Sequence, residues 1–156
     1  MYEPIRTKSV HTMAATTSPD FPHRSREEEL DIQLAGHLAA LLATTDELRA
    51  LAPTADLDTT DLDTAAERLS EQVARLRGGL PPVRSSAPAG GRDRDAAGLH
   101  RRAHALAGRA LVVAASRADT AAAILAAERM DAHAAAERVD ARTSAEPIAD
   151  RELASH

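Results

Sequence analysis

Two histidines stand one helical turn apart in the second half of the chain, and their spacing is the first feature that could carry chemistry. His100 and His104 are related as i and i+4, which places both imidazoles on one face of a helix. Such a pair can bind a divalent metal, but a zinc site needs a third ligand and usually a fourth. The intervening residues are Arg101, Arg102 and Ala103, which excludes the HExxH motif and adds positive charge that repels a cation. We therefore expect a half-buried or exposed histidine pair and no bound metal or cofactor.

The segment that begins at His104 resembles a known family. The run His104-Ala105-Leu106-Ala107-Gly108 resembles the H-x-L-K-G core of histidine phosphotransfer domains, which are four-helix bundles with a phosphorylatable histidine on one helix. The resemblance implies that His104 is the phosphoacceptor. Ala107 stands where that family has the lysine that neutralises the phosphoryl charge. A degenerate phosphotransfer-like module at His104 is therefore one alternative function.

Other catalytic signals are absent from the sequence. The chain has no cysteine, and its single lysine is Lys8, which argues against thiolate and Schiff-base chemistry. The phosphate-binding and nucleophile motifs GxGxxG, GxxxxGK[ST] and GxSxG do not occur. One Phe, one Tyr and no Trp are few aromatic side chains from which to line a small-molecule pocket. We expect a protein that is not an enzyme and has no small-molecule substrate.

The elements that must position the histidines are helices, since alanine is the commonest residue and most leucines recur at helical spacing. Ser25 and Glu28 form a capping box, and the leucine stripe that follows predicts a first helix over 26–51 that Pro53 ends. Thr60 or Asp61 can cap a second helix. Its apolar residues are spaced alternately by four and three, as in a coiled coil: Leu62, Ala66, Leu69, Val73, Leu76 and Leu80.

The third helical stretch is the longest and contains both histidines. Asp93 or Asp95 opens it, it runs over about 95–142, and its regular spacing breaks at Arg117 and Thr120. Unbroken, it would extend about 70 Å, against about 39 Å for the first helix. The sequence predicts an all-α fold, an antiparallel bundle of three long helices, or four if the last breaks near 117–120. We expect a disordered tail at 1–24, a bundle domain over 25–142 with a linker at 81–94, and a frayed tail at 143–156.

Charge is distributed unevenly along a chain whose net charge is −5. Residues 27–63 contain ten acidic residues and one basic residue, Arg49, whereas residues 84–117 contain seven arginines and two aspartates. One interpretation places the third helix beside the first, with the opposite charges balanced at their rims. The alternative is a regulator that binds DNA or an acidic partner through a basic stripe over 92–117. The candidate contacts are Arg92, Arg94, Arg101, Arg102, Arg109 and Arg117.

The stretch over 100–136 resembles small accessory proteins of actinobacterial conjugative plasmids and integrative elements. The resemblance implies a role associated with plasmid transfer or spread and assigns no activity. Together with the apolar spacing, it favours a non-enzymatic helical interaction or scaffold protein that binds a protein partner or itself as a homo-oligomer. No stretch approaches the roughly 20 apolar residues that span a bilayer, so we expect a cytoplasmic protein. The predicted partner or self-association seam is Leu62, Leu69, Val73, Leu76, Leu99, Ala103, Leu106 and Ala110.

Overall fold

The structure, a computed structural model, describes residues 23–51, 59–84 and 95–153. These residues contain no strand and form four helices: α1 (Arg26–Leu51), α2 (Thr60–Leu76), α3 (Ala96–Arg117) and α4 (Thr120–Leu153). The prediction of an all-α fold is confirmed. The long third stretch is two helices, so the bundle has four helices rather than three. The expected tail up to residue 22, the connector over 52–58, residues 85–94 of the expected linker and residues 154–156 lie outside the described part.

The start of α1 confirms the predicted capping box. The Oγ of Ser25 accepts a hydrogen bond from the backbone N–H of Glu28 at 3.1 Å. In return, Oε2 of Glu28 accepts one from the backbone N–H of Ser25 at 2.9 Å. Two N–H groups that have no partner within the helix are thereby satisfied, and three acidic residues in the first turn complement the helix dipole. The helix ends at Leu51, the predicted residue.

The limits of α2 follow from residues close to those predicted. Its N-cap is Thr59 rather than Thr60 or Asp61, and Thr59 makes no side-chain capping hydrogen bond. At the other end the backbone N–H of Gly79 donates to the carbonyl of Ala74 at 2.7 Å. Gly78 and Gly79 have positive φ values of 68° and 90°, a conformation that glycine adopts without steric cost.

A two-residue turn separates α3 from α4, so the long stretch predicted as a third helix is divided between two shorter helices. Ala118 has a φ of 58°, in the left-handed region, which ends α3. Asp119 begins α4, because its Oδ1 accepts from the backbone N–H of Ala122 at 3.1 Å. At the N-terminus of α3, Oδ1 of Asp95 accepts from Ala97 at 3.1 Å, one of the two predicted caps. The helix α4 continues to Leu153, past the predicted end near 142.

The helices are packed as a four-sided bundle. Helix α1 packs on α2 and α3, α3 packs on α4, and α4 completes the ring by a sparser contact with α2. Arg117 at the end of α3 reaches Asp31 near the start of α1 at 2.9 Å, so these two helices run in opposite directions. Helices α2 and α4 are also antiparallel, since Arg75 pairs with Asp119 while Asp61 pairs with Arg129.

The core is made of leucine from α1 and mainly of alanine from the α3–α4 hairpin. Helix α2 contributes Leu69 and Val73, both completely buried. The core residues of α3 and α4 are Leu99, Ala103, Leu106, Ala107, Ala110, Ala114, Ala122, Leu125 and Ala126. Because alanine is small, the backbones of α3 and α4 can approach each other closely. Polar side chains around His100 on α3 can therefore contact side chains of α4.

Candidate functional site

Helices α2, α3 and α4 bring three histidines, one arginine and one aspartate together. His100 and His104 are one turn apart on α3, as the i and i+4 spacing predicted, and both are half-buried. His133 faces them from α4 and is only 1% exposed. Arg129, one turn before His133, is also buried and faces α2, where it meets Asp61. We call these five residues the histidine cluster.

One contact in the histidine cluster joins two imidazole rings. Nδ1 of His100 lies 3.0 Å from Nδ1 of His133, and the ring centroids are 5.3 Å apart with the planes tilted by 47°. A hydrogen bond between two such nitrogens requires one N–H and one lone pair. The pair therefore holds one proton between the two Nδ1 atoms. Nε2 of His133 is buried without a hydrogen-bond partner.

Burial controls the protonation of this pair. Burial, and to a smaller extent the positive charges of His100 and Arg129, lower the pKa of His133 from 6.5 to about 4, against the opposing effect of Asp61. Burial also lowers the pKa of His100, while the carboxylates of Asp140 and Glu137 act in the opposite direction. Both rings are therefore neutral at pH 7, and His133 resists protonation more strongly than an exposed histidine does.

Arg129 connects the histidine cluster to α2. Its two terminal nitrogens donate to the two carboxylate oxygens of Asp61 at 3.0 and 3.1 Å, a bidentate ion pair. The arginine side chain is 8% exposed, whereas that of Asp61 is 69% exposed. The Nε of Arg129 is buried without a partner. A buried guanidinium thus depends on one carboxylate, supplied from the solvent side of a neighbouring helix.

The histidine cluster does not form a metal site. Within the described residues, no group of three or more His, Asp or Glu side chains could hold a metal ion. His104 is turned away from its helical neighbour, because its Nδ1 lies 3.0 Å from the carbonyl oxygen of Met130 on α4. The i and i+4 spacing placed His100 and His104 on one face correctly, but each is engaged by a different residue of α4.

The structure also places the residues that resemble the phosphotransfer motif. Ala107, at the position of the family's lysine, is fully buried in the core. A side chain at Gly108 would meet the sulfur of Met130 at 3.5 Å, so this part of α3 lies against α4. The geometry does not favour a phosphoacceptor that stands clear of the bundle with a cation beside it.

All eight residues of the predicted seam lie on inward or flanking faces of the bundle. Leu69, Val73, Leu99, Ala103, Leu106 and Ala110 are buried, and Leu62 and Leu76 are partly buried. Six of the eight, all except Leu62 and Leu99, belong to the core cluster of the same molecule or pack against it. The seam is thus the core of one chain, and a surface for a second molecule must be sought on the outside.

The predicted arginine stripe divides into three groups. Arg101, Arg102 and Arg109 are exposed on the outward face of α3. Arg117 is engaged by Asp31 at 2.9 Å and, more distantly, by Glu27 at 4.0 Å. Arg92 and Arg94 lie outside the described residues. The Arg117 contact agrees with the interpretation in which the basic helix lies beside the acidic first helix, but three arginines point outward.

Sequence reasoning missed the ion pairs between α2 and α4, although the pattern contained a signal for them. Asp61, Arg68 and Arg75 recur every seven residues on α2. Arg68 meets Glu128 at 2.6 Å, Arg75 meets Asp119 at 2.5 Å, and Asp61 meets Arg129. Each stands one residue before a leucine of the apolar spacing, so the three charged side chains lie in a row along one face of α2 beside the buried stripe. We call this contact the α2–α4 seam.

Two open recesses flank the turn between α3 and α4. One, of about 400 Å³, is lined mainly by alanines together with Ile124. The other, of about 380 Å³, is lined by Asp31, Arg75, Arg117 and Asp119. These four charged side chains are already joined in ion pairs, two by two.

Among the described helices, none is long and apolar enough to cross a membrane. No protein-family description matches the sequence, and neither a curated protein nor a solved structure is similar to it.

Proposed function

We propose that this chain is a non-enzymatic interaction module that binds an acidic helix of a protein partner through the outward face of α3. The resemblance of residues 100–136 suggests that the module acts as an accessory factor in plasmid transfer or spread. Since the apolar seam is filled by the chain's own helices, the partner has to bind outside it. The observation that carries the proposal is a second regular stripe on α3, on the side away from the core.

This outer stripe repeats the spacing of the inner one. Its residues are separated by three, four, three and four positions, and all are exposed: Arg102, Ala105, Arg109, Val112 and Ser116. Val112 is a large apolar side chain that is 67% exposed. Small and apolar residues that alternate with arginines at this spacing fit an amphipathic helix whose acidic residues flank its apolar face. Arg101 extends the same positively charged surface.

An acidic protein helix suits this face better than a DNA duplex. Three exposed arginines supply few phosphate contacts, whereas duplex binding depends on many. Ala105 and Val112 contribute nothing to phosphate binding but can be buried by a helix.

The test compares two double charge reversals. Arg102→Glu with Arg109→Glu changes the proposed face, and Arg77→Glu with Arg138→Glu makes the same charge change at exposed positions elsewhere. The probes are a labelled amphipathic peptide with leucine at its core positions and glutamate beside them, and a labelled duplex of 20 base pairs (about two helical turns). We expect the first variant to weaken peptide binding by about tenfold or more and the control to leave it nearly unchanged.

Each result has a defined meaning. Equal loss in both variants, or no peptide binding to the unaltered protein at low salt, contradicts the proposal. Duplex binding that weakens steeply with salt and is lost in the first variant replaces it with the DNA-binding alternative. Light scattering on the same samples detects self-association, and a dimer that only the first variant dissociates would identify a second copy as the partner at this face.

A further inference from the structure

The hydrogen bond between His100 and His133 can exist with only one proton between the rings. If Nδ1 of His133 donates, its buried Nε2 carries a lone pair, and if it accepts, Nε2 carries an N–H. Nε2 of His133 has no partner, and an unpartnered N–H is the rarer and more costly of the two to bury. The favoured arrangement therefore has His133 donating to His100, with the proton of His100 on Nε2.

We propose that the His100–His133 pair is a proton-operated latch that holds α4 against α3 and, through Arg129 and Asp61, against α2. The latch is closed while both rings are neutral and share one hydrogen bond. It opens when protons are added to the two rings. The site lies apart from the outward face of α3, so the inference does not depend on the function proposed for that face.

The first added proton binds His100, which is half-buried and has the carboxylates of Glu137 and Asp140 near it. With both of its nitrogens protonated, His100 can only donate. His133 must then accept at Nδ1 and carry its own proton on the buried Nε2, where no acceptor meets it. Protonation of His100 thus leaves an N–H without an acceptor on the buried Nε2 of His133.

A second proton removes the hydrogen bond. A doubly protonated pair has two N–H groups facing each other at 3.0 Å and two positive charges within the histidine cluster. Arg129 on α4 adds a third positive charge, and His104 on α3 faces the same space. The opposing charge from α2 is the carboxylate of Asp61, already engaged by Arg129. Glu137 and Asp140 offset part of the charge on His100, but they do not remove the clash between the two facing N–H groups, so the rings separate.

The packing of the helices determines which part of the bundle opens when the two rings separate. Helix α4 is held on α2 by a sparse contact and three ion pairs, whereas α1 and α3 share an apolar interface. The last buried residue described on α4 is His133, and residues 141–145 are exposed. Release of His133 therefore frees the C-terminal half of α4 and the start of α2, while α1 stays on α3.

The experiment is a pH titration of the full chain by NMR with amide hydrogen exchange. The imidazole signals report each ring directly, and we expect His133 to remain neutral to about pH 4. Between pH 6.5 and about pH 4 the open state binds more protons than the closed state, because burial in the closed state lowers the pKa of the histidines. The population of the open state rises by about tenfold for each pH unit when one extra proton is bound. After correction for intrinsic rates, amides over 129–140 and 60–68 lose protection before those of α1.

Two variants separate the latch from general acid unfolding. His100→Gln retains a side chain that can accept from His133 but cannot be protonated, so the early loss of protection over 129–140 moves to lower pH. His37→Gln makes the same change at a half-buried histidine of α1, outside the histidine cluster, and should leave that transition in place. Neither change requires His133 to be replaced in the core.

Three outcomes overturn the proposal. The first is titration of His133 near the ordinary histidine value of 6.5. The second is simultaneous loss of protection in α1 and α4 at every pH, and the third is a His100→Gln variant that opens at the same pH as the unaltered protein. A shift confined to His100→Gln, together with a His133 ring that stays neutral, supports the latch.

Discussion

The α1–α3 interface and the α2–α4 seam are opposite sides of one bundle, and they are held by different forces. Helix α1 contributes Leu34, Leu38 and Leu41 to a continuous buried cluster that includes the alanines of α3. The α2–α4 seam is sparser, and its specific contacts are three ion pairs at every seventh residue of α2. Arg117 and Asp31 also pair across the α1–α3 interface, so the contrast is one of proportion: apolar burial dominates the first side, and ion pairs contribute a larger share of the second.

The difference shows where a small helical bundle can combine stability with response. Apolar burial is non-directional and does not depend on the protonation of any group, so the α1–α3 contact should be less sensitive to pH than the α2–α4 seam. An ion pair between exposed side chains contributes about 0–1 kcal/mol and weakens with salt. Arg129 and His133 lie beneath such pairs, where burial makes their charge state matter to the packing of α4.

The largest expected effect comes from opening a cavity in the apolar side. Leu38 is completely buried on α1, and Leu38→Ala should lower the free energy of unfolding by about 2–5 kcal/mol, through lost transfer energy and the cavity left behind. Urea unfolding followed by circular dichroism at pH 7.5 measures it. Ile32→Ala, on the same helix at a side chain that is 49% exposed, should cost less than about 1 kcal/mol. Equal losses in the two variants would contradict the assignment of the core to this side.

A second variant tests the buried arginine of the α2–α4 seam. Asp61→Asn removes the carboxylate from Arg129, whose side chain is 8% exposed, and should destabilise the protein by about 1–3 kcal/mol. The exposure of Asp61 keeps this below the roughly 3–5 kcal/mol of fully buried pairs.

A second substitution, at Arg129, shows whether the stability lost in Asp61→Asn comes from the unpaired charge of the guanidinium. Arg129→Met replaces the guanidinium with an apolar chain, so it should be nearly neutral or stabilising. In the Arg129→Met background, Asp61→Asn should cost clearly less in urea unfolding than it does in the unaltered protein, because the contribution of the ion pair has already been removed. If Asp61→Asn costs the same in both backgrounds, Asp61 stabilises α2 by some other route.

The asymmetry between the two sides also explains which features the sequence could predict. Local signals were accurate: the capping box at Ser25, the end of α1 at Leu51 and the cap at Asp95 all depend on residues within one turn. The break after Arg117 was visible only as lost spacing, because the left-handed Ala118 that makes the turn carries no glycine to mark it.

Contacts between helices were the harder part. The spacing of His100 and His104 predicted their common face, but His133, the residue that engages His100, comes from another helix 33 positions later. The same limit applies to Arg129, whose partner Asp61 is 68 positions away. Periodicity within a helix states which face is buried, whereas the identity of the facing helix depends on how four helices close the ring.

The smallest expected effect concerns the exposed ion pair of the α2–α4 seam and completes the comparison. Arg68 and Glu128 meet at 2.6 Å, yet both side chains are 45% exposed. A double-mutant cycle with Arg68→Ala and Glu128→Ala should give a coupling of about 0–1 kcal/mol that nearly vanishes in 1 M salt, where the screening length is about 3 Å. The corresponding cycle at Asp61 and Arg129 should lose a smaller share of its coupling, because the guanidinium is only 8% exposed although Asp61 is 69% exposed. If salt removed both couplings equally, Arg129 would behave as a surface residue, and the contrast between an exposed and a buried layer within this seam would be wrong.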